Sequence, residues 1–243
     1  MNRPDALAGF LDKWRLRWPE WPVAETFVPL AQREVAVAWF ALLQEFEDAM
    51  NIAGDPLPAD AKLAWWGQEL RDWSNRRSRH PLGRVLEPRA APWSALADAL
   101  PTLIDARARP ADETAAFATW QPLAQAQAAV EEALFRPAQA SPLVAPPVDP
   151  ARIDAIAAQW LAARWMAAGE SATPLAWPTG ISSAWSECLF RRWPQGRVVA
   201  PIPGRLHSAL ARSRLLRFGG AQSGVRPMSA LATLWLSWRA ARG

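Results

Sequence analysis

Apolar side chains recur every three or four residues along most of the chain, and proline marks the breaks between the stripes. From 29 to 51, Trp39, Leu42, Leu43, Phe46 and Met50 fall on one face, the spacing of a helix that buries one side. Asp55-Pro56-Leu57-Pro58 interrupts that pattern, and Pro58-Ala59-Asp60 suits a new helix start. A first-turn Pro gives up an N–H that has no partner there, and an early acid meets the positive end of the helix dipole. Leu63, Trp66, Leu70 and Trp73 continue as one stripe until the polar, basic run from Asn75 to Arg79. His80-Pro81-Leu82-Gly83 then reads as a turn into a short helix carrying Val85 and Leu86.

Further helices are predicted over 93–106 and 112–135, the second burying Phe117, Trp120, Leu123 and the run from Val130 to Phe135, with Pro122 as a kink or a start. The segment from about 137 to 150 is Pro-rich, and each Pro removes a donor and restricts the residue before it, so an extended connector is expected there, as a loop within the fold or as a boundary. Beyond it, stripes run through Ile153, Ile156, Trp160 and Ala163, then Trp185, Leu189 and Trp193, then Leu206, Leu210 and Leu216, and last Leu231, Leu234, Trp235 and Trp238. Pro174 to Gly180 and Gly219 to Gly224 separate them. Only Arg197 to Ala200 alternates as a strand would, and no internal repeat is present. The expectation is an all-α, single-domain bundle of roughly eight helices.

Composition agrees with that class. A chain of 243 residues that is 51% apolar is long enough for a sizeable core, and an Ala-rich chain with 12 Gly and no Tyr favours helix over sheet. Sixteen Trp are present, and Trp39, Trp66, Trp73, Trp160 and Trp235 sit on apolar stripes and are expected in the core, whereas Trp14, Trp18 and Trp21 either cap it or touch a partner. Cys188 is the single cysteine and His80 and His207 the only histidines, which excludes an intramolecular disulfide and a Cys/His zinc site and fits a reducing cytoplasm. Cys188 lies in a helical stripe as a small hydrophobe, and neither histidine has a nucleophile pattern around it. No signal peptide, membrane span, P-loop or dinucleotide fingerprint can be read.

Charge is unevenly placed. Residues 1–150 carry 15 Lys and Arg against 20 Asp and Glu, whereas 151–243 carry 12 Arg against Asp154, Glu170 and Glu187, a local excess of nine positive charges. Nearly all the cations are Arg, a bias that also suits a GC-rich bacterial coding sequence. Either the basic part is a solvated surface, or Arg191, Arg192, Arg205, Arg212 and Arg214 surround an anion site for phosphate groups or anionic lipid. On the 29–51 helix, Glu47 shares a face with Phe40 and Leu43, and Glu47, Asp48 and Asn51 together present oxygen ligands at the end of a buried stripe, as a hard cation such as Mg²⁺ would require. The bland alternative is the ordinary polar edge of an amphipathic helix.

Two stretches resemble the squalene/phytoene synthase family: Lys62-Leu63-Ala64-Trp65-Trp66-Gly67-Gln68-Glu69-Leu70 and His80-Pro81-Leu82-Gly83-Arg84-Val85-Leu86. In that family a helix with a Leu-x-x-Trp-x-x-x-Leu core precedes a His-Pro turn. Upstream, Glu47-Asp48-x-x-Asn51 falls where the family carries Asp-Asp-x-x-Asp, and Pro227 to Arg242 looks like its closing helix. The resemblance spans about 25–135, with the remainder matched only by helix order. It implies an isoprenoid synthase fold, in which two acidic motifs hold Mg²⁺ on a prenyl diphosphate. Here the first motif is softened and the second, Asn-x-x-Arg-Asp-x-x-x-Asp, is absent.

The favoured expectation is a catalytically degenerate member whose prenyl- or lipid-type pocket serves binding or the assembly of another protein. The alternative is an active Mg²⁺-dependent prenyl diphosphate transferase of squalene, phytoene or related terpenoid biosynthesis. Partners expected are a prenyl diphosphate or lipid-like ligand and a protein or the inner face of a membrane, approached from the cytoplasm. Nucleic acid is disfavoured, because the arginines interleave with buried Leu instead of forming a stripe.

Overall fold

In the computed structural model, residues 6–136, 148–177, 182–194, 198–220 and 223–242 are described. Most of the Pro-rich connector, Arg197, and parts of the Pro174–Gly180 and Gly219–Gly224 breaks lie outside them. The described residues are helical, with no strand and a single isolated bridge between Phe218 and Val225. The run 198–200 forms no strand.

The chain opens with α1 (Ala6–Arg17) and the single turn α2 (Trp21–Ala24), both in a segment whose spacing predicts no helix. Trp14, Trp18 and Trp21 are all buried, with Trp14 edge-on to Trp21 at 5.2 Å and against Phe40 at 5.7 Å. They are core, not surface. After two 3₁₀ turns, α3 (Arg33–Met50) runs through the middle of this half and packs against α1, against α4 (Leu57–Ser74) and against the single turn α5 (Gly83–Leu86). Burial on nearly every side accounts for its almost unbroken apolar run from Val35 to Leu43.

The stretch predicted as one helix over 93–106 is two, α6 (Trp93–Ala99) and α7 (Thr102–Asp105). Pro101 divides them, since it cannot donate into the preceding turn. The long α8 (Glu113–Phe135) starts at Asp112, whose carboxylate accepts from Ala115 N at 2.8 Å, and has Pro122 in its interior, not at its start. It packs along α9 (Pro150–Ala168), which begins earlier than the prolines suggest: Pro150 takes a first-turn position, and Asp149 caps the helix by accepting from Ala151 N at 2.9 Å. A single core cluster runs from Leu7 to Leu215.

On the far side of α9 lie α10 (Ser182–Arg192) and α11 (Ile202–Arg217), and α12 (Ala230–Arg242) packs on α11 and α2. Here one expectation fails: Trp235 is 58% exposed, with Leu231, Leu234 and Trp238 exposed beside it. The buried side of α12 carries Thr233 and Ser237 instead, short side chains that let the helix approach its neighbours closely. Leu216, expected on the α11 stripe, is exposed as well.

Candidate functional site

Between α9, α11 and α12 lies a cavity of about 380 Å³, within the ~300–1,000 Å³ usual for small-molecule sites. Helical spacing assembles its walls. Arg152, Ile156 and Gln159 project from one side of α9, Arg205, Ser208 and Arg212 from α11, and Leu236 and Arg239 from α12. The described lining includes four arginines and one carboxylate, Glu131 of α8.

Glu131 is 3% exposed and fully engaged. It accepts from Trp39 Nε1 at 3.1 Å, Gln127 Nε2 at 3.0 Å and Arg152 Nη2 at 3.2 Å, while Arg152 Nη1 reaches Glu132 at 3.1 Å. Gln127 in turn accepts from Trp160 Nε1 at 2.9 Å. A buried ion pair is stable only when such extra hydrogen bonds fill the remaining lone pairs, and this one has them. Gly204 makes the approach of α11 possible, because a Cβ there would stand 2.7 Å from Glu131 Oε2. Arg152 pairs with both carboxylates through its Nη groups, though its Nε is buried without a hydrogen-bond partner, and Arg205, Arg212 and Arg239 also line the cavity.

Arg205 donates to Ala241 O at 2.8 Å. Arg212 lies flat over Phe190, 3.8 Å from the ring centroid, and burial pulls its pKa below the ordinary guanidinium value. Its Nε is buried without a hydrogen-bond partner among the described residues, and no carboxylate among them pairs with it. Trp193 Nε1 donates to Ser208 Oγ at 3.0 Å, and Ser208 lines the cavity.

The inner wall is His207. Its ring stacks on Phe40 at 4.2 Å, and because the amide nitrogen of Gln159, 2.6 Å away, can only donate, Nδ1 accepts. Burial, aided by the nearby Arg214 charge, pushes the His207 pKa down to about 3, so the ring is neutral at physiological pH. Behind it a small cavity of about 30 Å³ is lined by Trp14, Phe40, Trp160 and Glu47.

Of the five arginines singled out from the sequence, Arg205 and Arg212 meet in this cavity. Arg214 pairs with Glu20 at 2.7 Å and covers Trp18, Arg192 pairs with Glu113 at 3.0 Å and covers Phe117, and Arg191 is exposed. Spacing did not single out Arg152, Gln159 and Arg239; the available signal was the seven-residue interval from Arg152 to Gln159 around Ile156.

The acidic candidates have separate partners. Glu47 is half-buried, and burial raises its pKa against a hydrogen bond from Gln44, which favours the neutral acid over a metal-binding carboxylate. Asp48 is held by Arg17 and accepts from Gln44 at 3.1 Å. Asn51 accepts from Arg164 at 3.2 Å. With two of the three oxygen sets already facing guanidinium groups, the donor set as arranged does not fit Mg²⁺, and no other group of three or more His, Cys, Asp or Glu suited to a metal occurs among the described residues. Cys188 donates to Glu113 at 3.2 Å, and burial and that carboxylate push its thiol up to about 11, which leaves it inert.

No family model, curated protein or solved structure matches the chain. The site's chemistry therefore stands on its own residues.

Proposed function

We propose that this chain is a degenerate squalene/phytoene synthase-like protein that binds an amphiphilic anion, of which a prenyl diphosphate is the type, by direct arginine contacts and without condensing it. The observation that carries this reading is Arg212, a partly desolvated guanidinium at the cavity with an unused Nε donor. A guanidinium offers planar, paired N–H groups that match phosphate oxygens, and charge-assisted bonds of this kind are about twice as strong as neutral ones. Arg205, Arg239 and the Ser208 hydroxyl stand beside it, while Ile156, Trp193 and Leu236 supply an apolar lining for a hydrocarbon chain. Supporting the non-catalytic reading, Asp48 and Asn51 are occupied by arginines of the chain itself. The bound ligand then serves as cargo or as a docking group for another protein.

Calorimetric titration with farnesyl diphosphate in EDTA tests the proposal. Binding is expected to be saturable without metal, unchanged by Glu47→Gln, and weakened about 10- to 100-fold by Arg212→Gln, the loss of one charged hydrogen-bonding group. Binding that requires Mg²⁺ and is lost in Glu47→Gln, together with condensed product, would instead establish the active transferase.

A further inference from the structure

The face of α12 turned away from the core is built the wrong way round for a water-facing surface. A helix packed on a globular core ordinarily buries its large apolar residues and shows polar ones. In α12, Thr233 and Ser237 are 2% and 1% exposed, whereas Leu231 is 80% exposed, and Leu234, Trp235 and Trp238 share that outer face at i, i+3, i+4 and i+7. The same face carries two cations: Arg239 lies 4.7 Å over the Trp235 ring, and Arg242 lies 4.5 Å over Trp238. Neither is in an ion pair among the described residues, and α12 contains no acid.

We infer that this face of α12 docks the protein flat on an anionic lipid surface. Three features of the face select that occupant. Indole rings have an apolar body and one polar N–H, the combination that partitions to the headgroup level of a bilayer. Arginines placed directly over those rings put positive charge at the same depth as lipid phosphates, and each such cation is worth roughly a fivefold gain in binding to an anionic leaflet. The same sign prevails beyond the helix, with 12 arginines against three acids over 151–243, of which Arg152, Arg192, Arg214 and Arg217 are already paired with acids of the first part. A helix lying in the interface needs a strong apolar face with cations beside it, not the length of a membrane span, and no described helix is long and apolar enough to span.

The face also adjoins the cavity. Arg239 belongs to both, and Leu236 and Ala240 of α12 line the cavity one turn inward. The docking inference rests on the α12 face alone and does not need the ligand reading to hold.

Vesicle co-sedimentation of the full chain tests it, with phosphatidylglycerol/phosphatidylcholine vesicles against phosphatidylcholine alone and sedimentation velocity run in parallel. The substitutions Leu231→Glu with Trp238→Glu, and Arg242→Gln, alter exposed positions that do not line the cavity. The native chain is expected to bind the anionic vesicles and to be released by 0.5 M salt, because exposed charge attraction is screened over roughly 10 Å or less. The Leu231/Trp238 double variant should bind at least tenfold more weakly and Arg242→Gln several-fold more weakly, both keeping native farnesyl diphosphate affinity; Arg212→Gln should lose that affinity and keep vesicle binding. The inference is overturned if the native chain ignores anionic vesicles, if the double variant binds them equally well, or if the face proves to join two copies, seen as a dimer that the double variant converts to monomer without any vesicle binding.

Discussion

Charged groups are handled in opposite ways in the two parts of the molecule. In the acidic part, the fully buried carboxylates Glu69 and Glu131 are closed off by donors. Glu69, wholly buried, accepts from the backbone N–H of Arg79 at 2.7 Å and of His80 at 2.8 Å, from Trp73 Nε1 at 2.9 Å and from Arg79 Nε at 3.2 Å. Burial alone would raise its pKa, but these hydrogen bonds outweigh burial and hold it below the ordinary value. In the basic part the acids run out, and Arg212, Arg239 and Arg242 lie on aromatic rings instead. A ring face attracts a cation but leaves its N–H edge unused. The first arrangement is complete without a ligand; the second has donors to spare. Stability and binding are therefore expected to separate, with the Glu69 knot governing the first and the arginine cavity the second.

Breaking the Glu69 knot should have the largest effect. Glu69→Ala strands the buried Trp73 indole and two backbone N–H groups, at a cost of about 3–5 kcal/mol, which lowers the thermal midpoint by roughly 10 °C in a chain of this size. Differential scanning calorimetry measures it, and a shift of a degree or less would show that the knot is dispensable. Farnesyl diphosphate affinity should stay native at temperatures where the variant remains folded.

A smaller effect sharpens the comparison through pH. His207 has a folded pKa of about 3 against an ordinary ~6.5. As pH falls below 6.5 the unfolded chain takes up a proton that the folded chain refuses, so stability drops, by about 2 kcal/mol at pH 5, and the loss ends only near the folded pKa. His80, also lowered by burial, adds to this slope, and Glu47, raised by burial, opposes it. Glu20, Glu45 and Glu69, all lowered, contribute only below about pH 4.5. Urea titrations at pH 6.5 and 5.0 should therefore give a markedly flatter pH dependence for His207→Phe than for the native chain; equal slopes would mean that His207 protonates freely in the fold.

The stripes through Trp39, Trp66, Trp73 and Trp160 were legible because each of these helices buries one consistent face, whereas the Asp149 cap of α9 was not, since the prolines around it read as an extended connector. α1 and α2 were not legible: three Trp among prolines carry no clear helical period, and burial against Phe40 and His207 decides their place. Trp235 was misassigned for a related reason, since periodicity reports that a helix has an apolar face but not that the face is turned to the core. Arg205 and Arg212 could be nominated from the charge excess, but what separates Arg212 from Arg214 is Glu20, nearly 200 positions away in sequence, a distance no local pattern spans.

The central claim, that Arg212 holds an unused donor for an anion, is tested most directly by NMR of the guanidinium itself. In protein labelled with ¹⁵N-arginine, the Arg212 Nε–H resonance, assigned by its loss in Arg212→Gln, should move downfield and saturate as inorganic diphosphate is added in EDTA, because a charge-assisted hydrogen bond deshields the shared proton. An Arg212 resonance that stays fixed through the titration, while exposed arginines such as Arg191 drift without saturating, would contradict the claim.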